Sequence, residues 1–514
     1  MEILTYASSG FSGELVAVEV DIRRGIPTLE IVGLPDSAVR EAKDRVRVAI
    51  RQSGFDFPMD RILVNLSPAA IKKVGASYDL PIALGIILSS GQINPSVGFK
   101  KILCSGELML NGTLRAVGGV LSAASLASES GVTHLLVPSD NLNEALIIKG
   151  VSAAGINNLK DIQKIMSGNC WHSNDGGELS YEIQTAGQSS DSYDISNIKG
   201  QPLLKRAMEI AAAGRHHMLF FGPPGSGKTM AARTFKGLLP DMGIEKSIEV
   251  TRIWSQAGKL GAKGSLIIRP PFREPHHTSS AEGLIGGGNG DLPGEVSMAH
   301  QGVLFLDEAA EFQPRVLQTL REPLESAKVE MARSGKRWWY PADFQLIMSV
   351  NPCPCGNLGK EDGSCVCSVP EISRYWRRLG GALLDRIDIR IPVSPVEPDT
   401  LFFEESENSE ILRGRVLKAA AVQRERFKNE LWNYNARIPP GAVNSYVKPD
   451  PEAIKYFSRV IRTLGLSSRA AHSILKVSRT IADLGGREKV GADDILEAVQ
   501  HRRFGERDLY WLKL

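Results

Sequence analysis

The sequence is poor in cysteine, in aromatic residues and in net charge. Its 514 residues include six cysteines, and aromatic residues make up 6% of the chain. So few cysteines in so long a chain do not form the disulfide framework that is typical of small secreted domains. The net charge of +3 is too small to identify a polyanionic partner, so any surface for nucleic acid must be local.

Long apolar runs and a leader segment are also lacking. No stretch is long and apolar enough to span a bilayer, and the chain begins Met1-Glu2-Ile3 without a basic and then apolar leader. We therefore expect a cytoplasmic protein without a membrane partner. With 42% hydrophobic and 23% charged residues, the composition is that of a globular protein with roughly three or four domains.

The most informative motif is a glycine-rich run, Gly222-Pro223-Pro224-Gly225-Ser226-Gly227-Lys228-Thr229. The apolar residues before it predict a buried strand and those after it a helix, which is the context of a phosphate-binding loop. In that geometry the loop N–H groups face the phosphates, Lys228 reaches the β and γ oxygens, and the Thr229 hydroxyl binds Mg²⁺. The motif predicts binding of ATP with Mg²⁺, and a chance glycine-rich turn is the alternative.

A second element makes the predicted site hydrolytic. The apolar run Val303–Leu306 is too short for a typical helix and ends in Asp307-Glu308. A buried parallel strand delivers both acids to its C-terminal edge. We expect Asp307 to hold Mg²⁺ through water and Glu308 to polarise the attacking water. The alternative is an ordinary strand end followed by two acids.

Composition and periodicity divide the chain into three domains and a linker. Residues 1–165 alternate strand-like and helical patterns and predict a compact α/β domain. Residues 166–198 contain five acids but no Lys or Arg, and predict a flexible acidic linker. Residues 199–396 contain the nucleotide motifs of an ATPase core. Residues 397–514 show helical periodicity and predict an all-helical lid.

Four of the six cysteines form two close pairs, Cys353 with Cys355 and Cys365 with Cys367. Two such pairs, nine residues apart, fit a tetrahedral zinc site made of four thiolates. One residue between the members of a pair is tighter than the usual spacing in zinc sites. A zinc site and a set of reduced cysteines that line a turn are therefore both open.

The segment 328–340 predicts a hairpin with Ser334-Gly335 at its turn. Its tip is basic, with two Trp and one Tyr directly after the cations Arg333, Lys336 and Arg337. Such a loop suits DNA, because cations bind phosphates and rings stack on exposed bases. The alternative is a solvated hairpin whose tryptophans pack against its own sheet.

Longer runs of the sequence point to one family. These are GQPLLKRAMEIAAAGRHHMLFFGPPGSGKT, AEGLIGGGNGDLPGEVSMAHQGVLFLDEAAEF, SVNPCPCGNLG and GALLDRIDIRI. Over essentially its whole length the chain resembles the magnesium-chelatase-like AAA+ ATPases, and within them the YifB/ComM group. The resemblance implies an α/β multidomain fold: a Lon-protease-like α/β N-terminal domain, an AAA+ P-loop α/β core and an all-helical C-terminal lid.

The resemblance also implies roles that spacing alone does not give. Asn351 matches the first sensor, Arg386 the arginine finger that enters a neighbour's site, and Arg469 the lid sensor. A finger acting on a neighbour implies a ring, usually a hexamer in this family. The basic hairpin matches the insert that related ring helicases point into the central pore, and residues 283–293 match the family's helix-two insert. In isolation, an arginine that forms a surface salt bridge and an asparagine that caps a turn are the alternatives.

Within the Lon-like domain the resemblance separates fold from activity. In the proteases a serine in a Gly-x-Ser turn is activated by a lysine that follows a Gly-Gly pair. This chain keeps Gly75-Ala76-Ser77, but Leu121 stands at the position of the lysine. Without that amine there is no base for the hydroxyl. Residues 1–165 are therefore expected to bind or assemble rather than to cleave.

Three functions follow from these features. The first, which the family resemblance implies, is an ATP-driven ring that acts on single-stranded or branched DNA as a helicase or branch-migration motor, promoting recombination in natural transformation together with recombination proteins. The second is a chelatase-like ATPase that remodels a protein or metallation complex. The third, an ATP-dependent protease, is disfavoured by Leu121. The basic hairpin and the N-terminal domain favour the DNA motor.

Overall fold

The first part of the chain is built on one mixed sheet of eight strands. The computed structural model describes residues 2–95, 100–168, 170–174, 193–260, 265–288, 291–333, 336–358, 365–396 and 407–502. The strands of this part are β1 Glu2–Ser9, β2 Ser12–Arg23, β3 Thr28–Val32, β4 Arg61–Ser67, β5 Lys101–Cys104, β6 Glu107–Leu108, β7 Leu114–Arg115, β8 His134–Pro138, β9 Ser152–Ile156 and β10 His172–Ser173. The order in the large sheet is β10-β9-β8-β5-β1-β2-β4-β3, and β6 pairs with β7 alone.

Helices cover this sheet and complete its apolar core. They are Ser37–Gln52, Asp79–Ser89, Val120–Glu129, Leu142–Ala145 and Ile162–Met166. The first begins at Asp36, whose side chain accepts a hydrogen bond from the N–H of Val39, and its buried residues recur at the three- and four-residue spacing of one helix face. The helix Asp79–Ser89 is buried on almost every side, as expected for a helix at the centre of a domain.

The second part is organised around a parallel sheet of five strands. Its strands are β11 Met218–Phe221, β12 Phe272–Arg273, β13 Val303–Leu306, β16 Gln345–Val350 and β17 Ile389–Pro392, in the order β12-β13-β16-β11-β17. A separate hairpin consists of β14 Lys328–Arg333 and β15 Lys336–Pro341. The helices are Pro202–Gly214, Lys228–Phe235, Ile244–Gln256, Ala281–Ile285, Glu295–Met298, Pro314–Gln318, Arg321–Ser326, Val369–Arg377 and Gly381–Leu384. Because all five strands run in parallel, their carboxyl ends share one edge, where ligands bind in open α/β sheets.

The third part is helical in the residues described. Its helices are Ser409–Arg426, Val443–Val447, Pro451–Leu464, Ser468–Leu484 and Ala492–Arg502. Gln423 donates to the carbonyl of Ala213 at 3.0 Å, which ties these helices to the core. The fold class is as the sequence predicted: two α/β parts followed by helices. None of the described helices combines the length and apolar character needed to cross a membrane.

The linker predicted over residues 166–198 needs correction at both ends. At its start, β10 pairs antiparallel with β9 and extends the first sheet. At its end, Ile195 and Ile198 are buried in the core of the ATPase part. The polar composition of the whole window concealed these isoleucines, because two apolar residues suffice to anchor a chain end. Residues 175–192 of that linker, and residues 397–406 and 503–514 of the predicted lid, lie outside the described residues.

The first part packs directly on the ATPase part through the helix Ile244–Gln256. Ser255 hydrogen-bonds the carboxylate of Glu144 and accepts the N–H of Gly119 at 2.9 Å. Gln256 donates to the Ser122 hydroxyl at 3.0 Å. Glu144 is 4% exposed, and burial raises its pKa above the ordinary value while these hydrogen bonds oppose the rise. A buried polar network of this kind holds two domains in one defined orientation.

Candidate active site

The glycine-rich run forms a tight loop between β11 and the helix Lys228–Phe235. The N–H of Gly222 donates to the carbonyl of Val350 at 3.2 Å. A Cβ on Gly222 would lie 2.0 Å from the carbonyl oxygen of Val393, so no other residue fits. Gly225 and Gly227 have φ of +79° and +92°, in the region that glycine adopts without steric cost. The loop geometry therefore depends on glycine at all three positions.

Lys228 lies inside this loop. Its Nζ donates to the carbonyls of Gly222 and Pro223 at 2.8 and 2.9 Å, and to Oδ1 of Asn351 at 3.3 Å. Burial lowers the pKa of Lys228, and the nearby carboxylate of Asp307 opposes that shift. The structure thus brings the predicted phosphate-binding lysine and the predicted first sensor into direct contact.

The two predicted acids lie at the end of β13 beside the loop. The Thr229 hydroxyl donates to Oδ2 of Asp307 at 2.7 Å. The hydroxyl of Ser349 hydrogen-bonds the other oxygen of Asp307 and accepts the N–H of Glu308 at 3.1 Å. Glu308 itself is exposed and has a φ of +50°, an uncommon conformation that occurs often at functional sites. Asp307 is therefore fixed in place while Glu308 faces the solvent.

Ser349 was missed at the sequence level. Because β13 and β16 are parallel with Leu306 opposite Met348, the next residues of the two strands, Asp307 and Ser349, face each other. The register of parallel strands is not encoded locally, so only a correct strand order would have revealed this pair.

The residues of this edge fit ATP with Mg²⁺. Thr229 and Asp307 supply the hydroxyl and carboxylate oxygens that Mg²⁺ prefers. The Ser226 hydroxyl is buried and has no hydrogen-bond partner among the described residues, as expected of a group that serves a ligand. The helix that begins at Lys228 directs its N-terminal N–H groups toward the loop, where phosphate binds.

The two predicted arginines pair with one shared carboxylate and not with the phosphate loop. Arg386 donates to the carbonyl of Ala382 and pairs with the carboxylate of Glu325. Arg469 pairs with the same oxygen of Glu325. They line a cleft of about 610 Å³ between the ATPase part and the helical part. Among the described residues, no hydrogen bond or ion pair joins either arginine to residues 222–229.

Glu325 was also missed, since nothing in its local sequence marks it. It lies almost twenty residues after Asp307 and Glu308 and belongs to the short helix Arg321–Ser326. Its side chain is 53% exposed, and that of Arg469 is 48% exposed, whereas Arg386 is 12% exposed. Burial is the main cause that lowers the pKa of Arg386, and the Glu325 carboxylate opposes it.

The four clustered cysteines converge on one point beyond the end of β16. Their sulfur atoms all lie within 4.8 Å of one another. The Sγ of Cys353 is 3.3 Å from that of Cys355 and 3.7 Å from that of Cys365, and Cys355 and Cys365 are 3.7 Å apart. All four are free thiols. The structure therefore brings together every member of the predicted set, including Cys367.

The basic hairpin forms, but its rings are not arranged as predicted. Trp338 and Tyr340 are buried with Ile253 and Met298, so these two rings are not available to stack on DNA bases. Their positions alternate along β15, which places both on the inward face. Trp339 is 40% exposed.

The outward face of the hairpin keeps its positive charge in part. Arg337, whose position alternates with those of Trp338 and Tyr340, is exposed. The side chains of Arg333 and Lys336, and the turn residues Ser334-Gly335, lie outside the described part of the structure.

The position of the missing protease lysine is fully apolar. Leu121 is buried in a cluster with Ile147 and Leu266, and its N–H donates to the carboxylate of Glu144 at 2.8 Å. The packing of Leu121 against Leu266 belongs to the interface with the ATPase part, and a leucine side chain offers no base.

Comparisons with known proteins agree with this arrangement. The family model for magnesium chelatase, subunit ChlI, matches residues 194–401; a model for subunit ChlI of Mg-chelatase matches residues 18–141; and one for the ChlI C-terminal part matches residues 406–502. The protein YifB of Escherichia coli is 37% identical over 514 residues, covering 99% of this chain and 98% of that protein.

Two further relatives are informative. The competence protein ComM of Haemophilus influenzae is 38% identical over 506 residues, covering 97% of each chain. A Lon protease of Aster yellows witches'-broom phytoplasma is 28% identical over 143 residues, which are 26% of this chain and 17% of the protease. Three family models for magnesium chelatase match successive parts of the chain, and YifB and ComM are 37% and 38% identical to it over nearly its whole length. The chain therefore belongs to the YifB/ComM group of magnesium-chelatase-like AAA+ ATPases.

Proposed function

We propose that this protein is an ATP-driven, ring-forming DNA motor, a helicase or branch-migration enzyme that promotes recombination in natural transformation. Bound ATP and Mg²⁺ supply the transferable phosphoryl group and the neutralising charge. Lys228 binds the phosphate oxygens, Thr229 and Asp307 hold the metal ion, and Glu308 orients the attacking water. Asn351, already bonded to Lys228, contacts the γ-phosphate or the water.

The separation of the arginines from the loop supports assembly into a ring. Arg386 and Arg469 bind Glu325 of their own chain, away from Lys228. A transition state that needs an additional positive charge then obtains it from an adjacent subunit, since an arginine finger supplied by a partner accelerates phosphoryl transfer strongly. Closed rings are the usual outcome of such head-to-tail contacts, and we propose six subunits.

The hairpin is the observation that favours DNA over a protein substrate. It connects the short helix Arg321–Ser326, which contains Glu325, to β16, which ends at Val350, directly before Asn351. Any force on the hairpin therefore acts directly on the strand that carries the first sensor. Its outward face presents Arg337, and cations on a pore loop bind the phosphate backbone without sequence preference. The competence protein ComM is a relative along the full length.

Stimulation of the ATPase by different substrates tests this function against its alternatives. Single-stranded or branched DNA should raise turnover if the protein is a DNA motor. An unfolded protein should raise it if the chain is a protease. If neither substrate changes turnover, the chelatase-like remodelling function is favoured instead. A strand-exchange assay on three- and four-stranded DNA then distinguishes branch migration from simple DNA binding.

Replacing Lys336 and Arg337 with Ala should reduce DNA-stimulated hydrolysis and unwinding but spare basal hydrolysis, because neither residue belongs to the nucleotide loop. Two lost phosphate contacts should also reduce the log–log salt slope of DNA binding by up to about two units per engaged subunit. The measurement is DNA affinity over a series of salt concentrations.

Lys455→Ala combined with Arg459→Ala is the matched control for this experiment. Both side chains are exposed and lie one turn apart on the helix Pro451–Leu464, so the net charge changes equally. The control should retain the wild-type affinity and slope. Equal behaviour of the two double variants would contradict a DNA contact at the hairpin.

A further inference from the structure

We propose that Cys353, Cys355, Cys365 and Cys367 bind one zinc ion, and that this closed site braces the first sensor and the phosphate loop. A regular tetrahedron with Zn–S distances of about 2.3 Å places its sulfurs about 3.8 Å apart. The three measured Sγ–Sγ distances are 3.3, 3.7 and 3.7 Å. All four sulfurs, including that of Cys367, lie within 4.8 Å of one another.

The cysteines come from two segments that have separate anchors. Cys353 is buried in the core of the ATPase part, three residues after the end of β16. Cys367 directly precedes the helix Val369–Arg377, which begins with Ser368 and Glu371 in a reciprocal capping box. If the four cysteines were only reduced thiols in a turn, nothing would require the two segments to bring their sulfurs to one point. A zinc ion bound by all four thiolates does require it. Four protein thiolates leave no open position, so the zinc is structural.

The first segment also contacts the nucleotide loop. The turn from Cys353 to Gly356 is closed by a backbone hydrogen bond of 3.0 Å. Gly356 has a φ of +78°, and a Cβ there would lie 2.9 Å from the ring of Pro224. Pro224 belongs to the phosphate loop. Cys353 lies two residues after Asn351, and Gly356, at the other end of the turn, lies against Pro224. The cysteine cluster is therefore adjacent both to the first sensor and to the phosphate loop.

The second segment supports the same strand end. The indole N–H of Trp376, on the helix that follows Cys367, donates to the carbonyl of Pro352 at 3.1 Å. Its ring meets Phe221 edge-on with centroids 6.1 Å apart. Pro352 lies between Asn351 and Cys353. A metal ion that joins the two cysteine pairs therefore fixes both the helix and the strand end that position Asn351.

Metal analysis of protein purified without chelator tests the site itself. We expect about one zinc per chain, and less than about a tenth of an equivalent would overturn the proposal. Cys355→Ser should lower the zinc content strongly. Cys170→Ser is the matched control, because Cys170 is an exposed free thiol outside the cluster. Full zinc content in Cys355→Ser would show that the ligands lie elsewhere.

If Cys355→Ser does not fold, binding of Co²⁺ to the wild-type protein tests the site instead. Wild-type protein stripped of metal and loaded with Co²⁺ should show the strong visible absorption of tetrahedral thiolate coordination, at one equivalent per chain. Octahedral cobalt spectra or the absence of a thiolate band would overturn a four-thiolate site.

ATP turnover of wild-type protein from which the metal has been removed tests whether the zinc site holds Asn351 in position. Because Asn351 would no longer be held in position, kcat should fall by about ten- to a hundredfold while the KM for ATP changes less, and one equivalent of zinc should restore it. Circular dichroism controls for loss of the fold. An unchanged kcat in folded, zinc-free protein would overturn the brace but leave the zinc site standing. Neither outcome depends on DNA, so the proposed motor function is tested separately.

Discussion

Glu308→Gln should lower ATP turnover by at least about a hundredfold while leaving ATP affinity intact. The substitution removes the carboxylate that polarises water, yet Lys228 keeps its hydrogen bond to Asn351 and Thr229 keeps its hydrogen bond to Asp307. Glu308 is exposed at the edge of the site, so its neutralisation leaves no buried charge without a partner. Single-turnover hydrolysis and binding of a fluorescent nucleotide provide the two measurements, and bound ATP should trap the assembled ring.

Glu311→Gln is the control for this variant. Glu311 is exposed, lies three residues further along the same short helical turn and pairs with Arg378 at 3.8 Å. The chemical change is identical, but the residue makes no contact with Asp307 or Ser349 in the part of the chain described. Turnover at the wild-type rate in Glu308→Gln, or an equal loss in Glu311→Gln, would refute the assignment of Glu308.

Arg386→Ala should abolish hydrolysis without weakening nucleotide affinity in the isolated subunit. Arg386 makes its hydrogen bonds to Ala382 and Glu325 rather than to its own loop, so we expect its positive charge to act on the transition state of a neighbour. Mixing Arg386→Ala with Lys228→Ala subunits should recover activity, because some interfaces then combine an intact finger with an intact loop. No recovery at any ratio, with both variants folded and assembled, would contradict action between subunits.

Glu325→Ala tests whether Arg386 acts on a neighbouring subunit or only stabilises its own chain. If Arg386 only stabilises its own chain through the ion pair with Glu325, then Glu325→Ala should reproduce the loss of activity. If the arginine serves a neighbour, Glu325→Ala releases it and hydrolysis should persist. Glu325 is 53% exposed but Arg386 is 12% exposed, so removing Glu325 leaves a largely buried cation without this carboxylate and should lower stability. Thermal unfolding of both variants provides the comparison.

The sequence was most informative where chemistry requires one residue type at a fixed spacing. Gly222 and Gly227 fix the loop because a Cβ or a negative φ does not fit there. The acids after β13 were found because a short apolar run ending in charge indicates a buried parallel strand. Helix starts such as Asp36 and Ser467 cap the N–H groups with their own side chains, so the signal is local.

The parts that depend on tertiary pairing escaped prediction. Ser349 contacts Asp307 only because of strand order and register. Glu325 meets two arginines, one of them 144 positions away along the chain. The inward face of β15 was misjudged because a partner for Trp338 and Tyr340 exists only once the helix Ile244–Gln256 is packed against them. In each case the deciding neighbour lies far along the chain.

The contact between Phe11 and the hairpin limits how this chain can be shortened. The N–H of Phe11 donates to the carbonyl of Trp339 at 2.8 Å, its carbonyl accepts from Arg252, and the Arg252 guanidinium lies 4.3 Å from the centre of its ring. A truncated chain that starts at the ATPase part would expose the apolar patch around Trp338 that Phe11 covers. Such an exposed patch favours aggregation. We therefore expect an isolated ATPase fragment to aggregate and to be a poor reagent for kinetics.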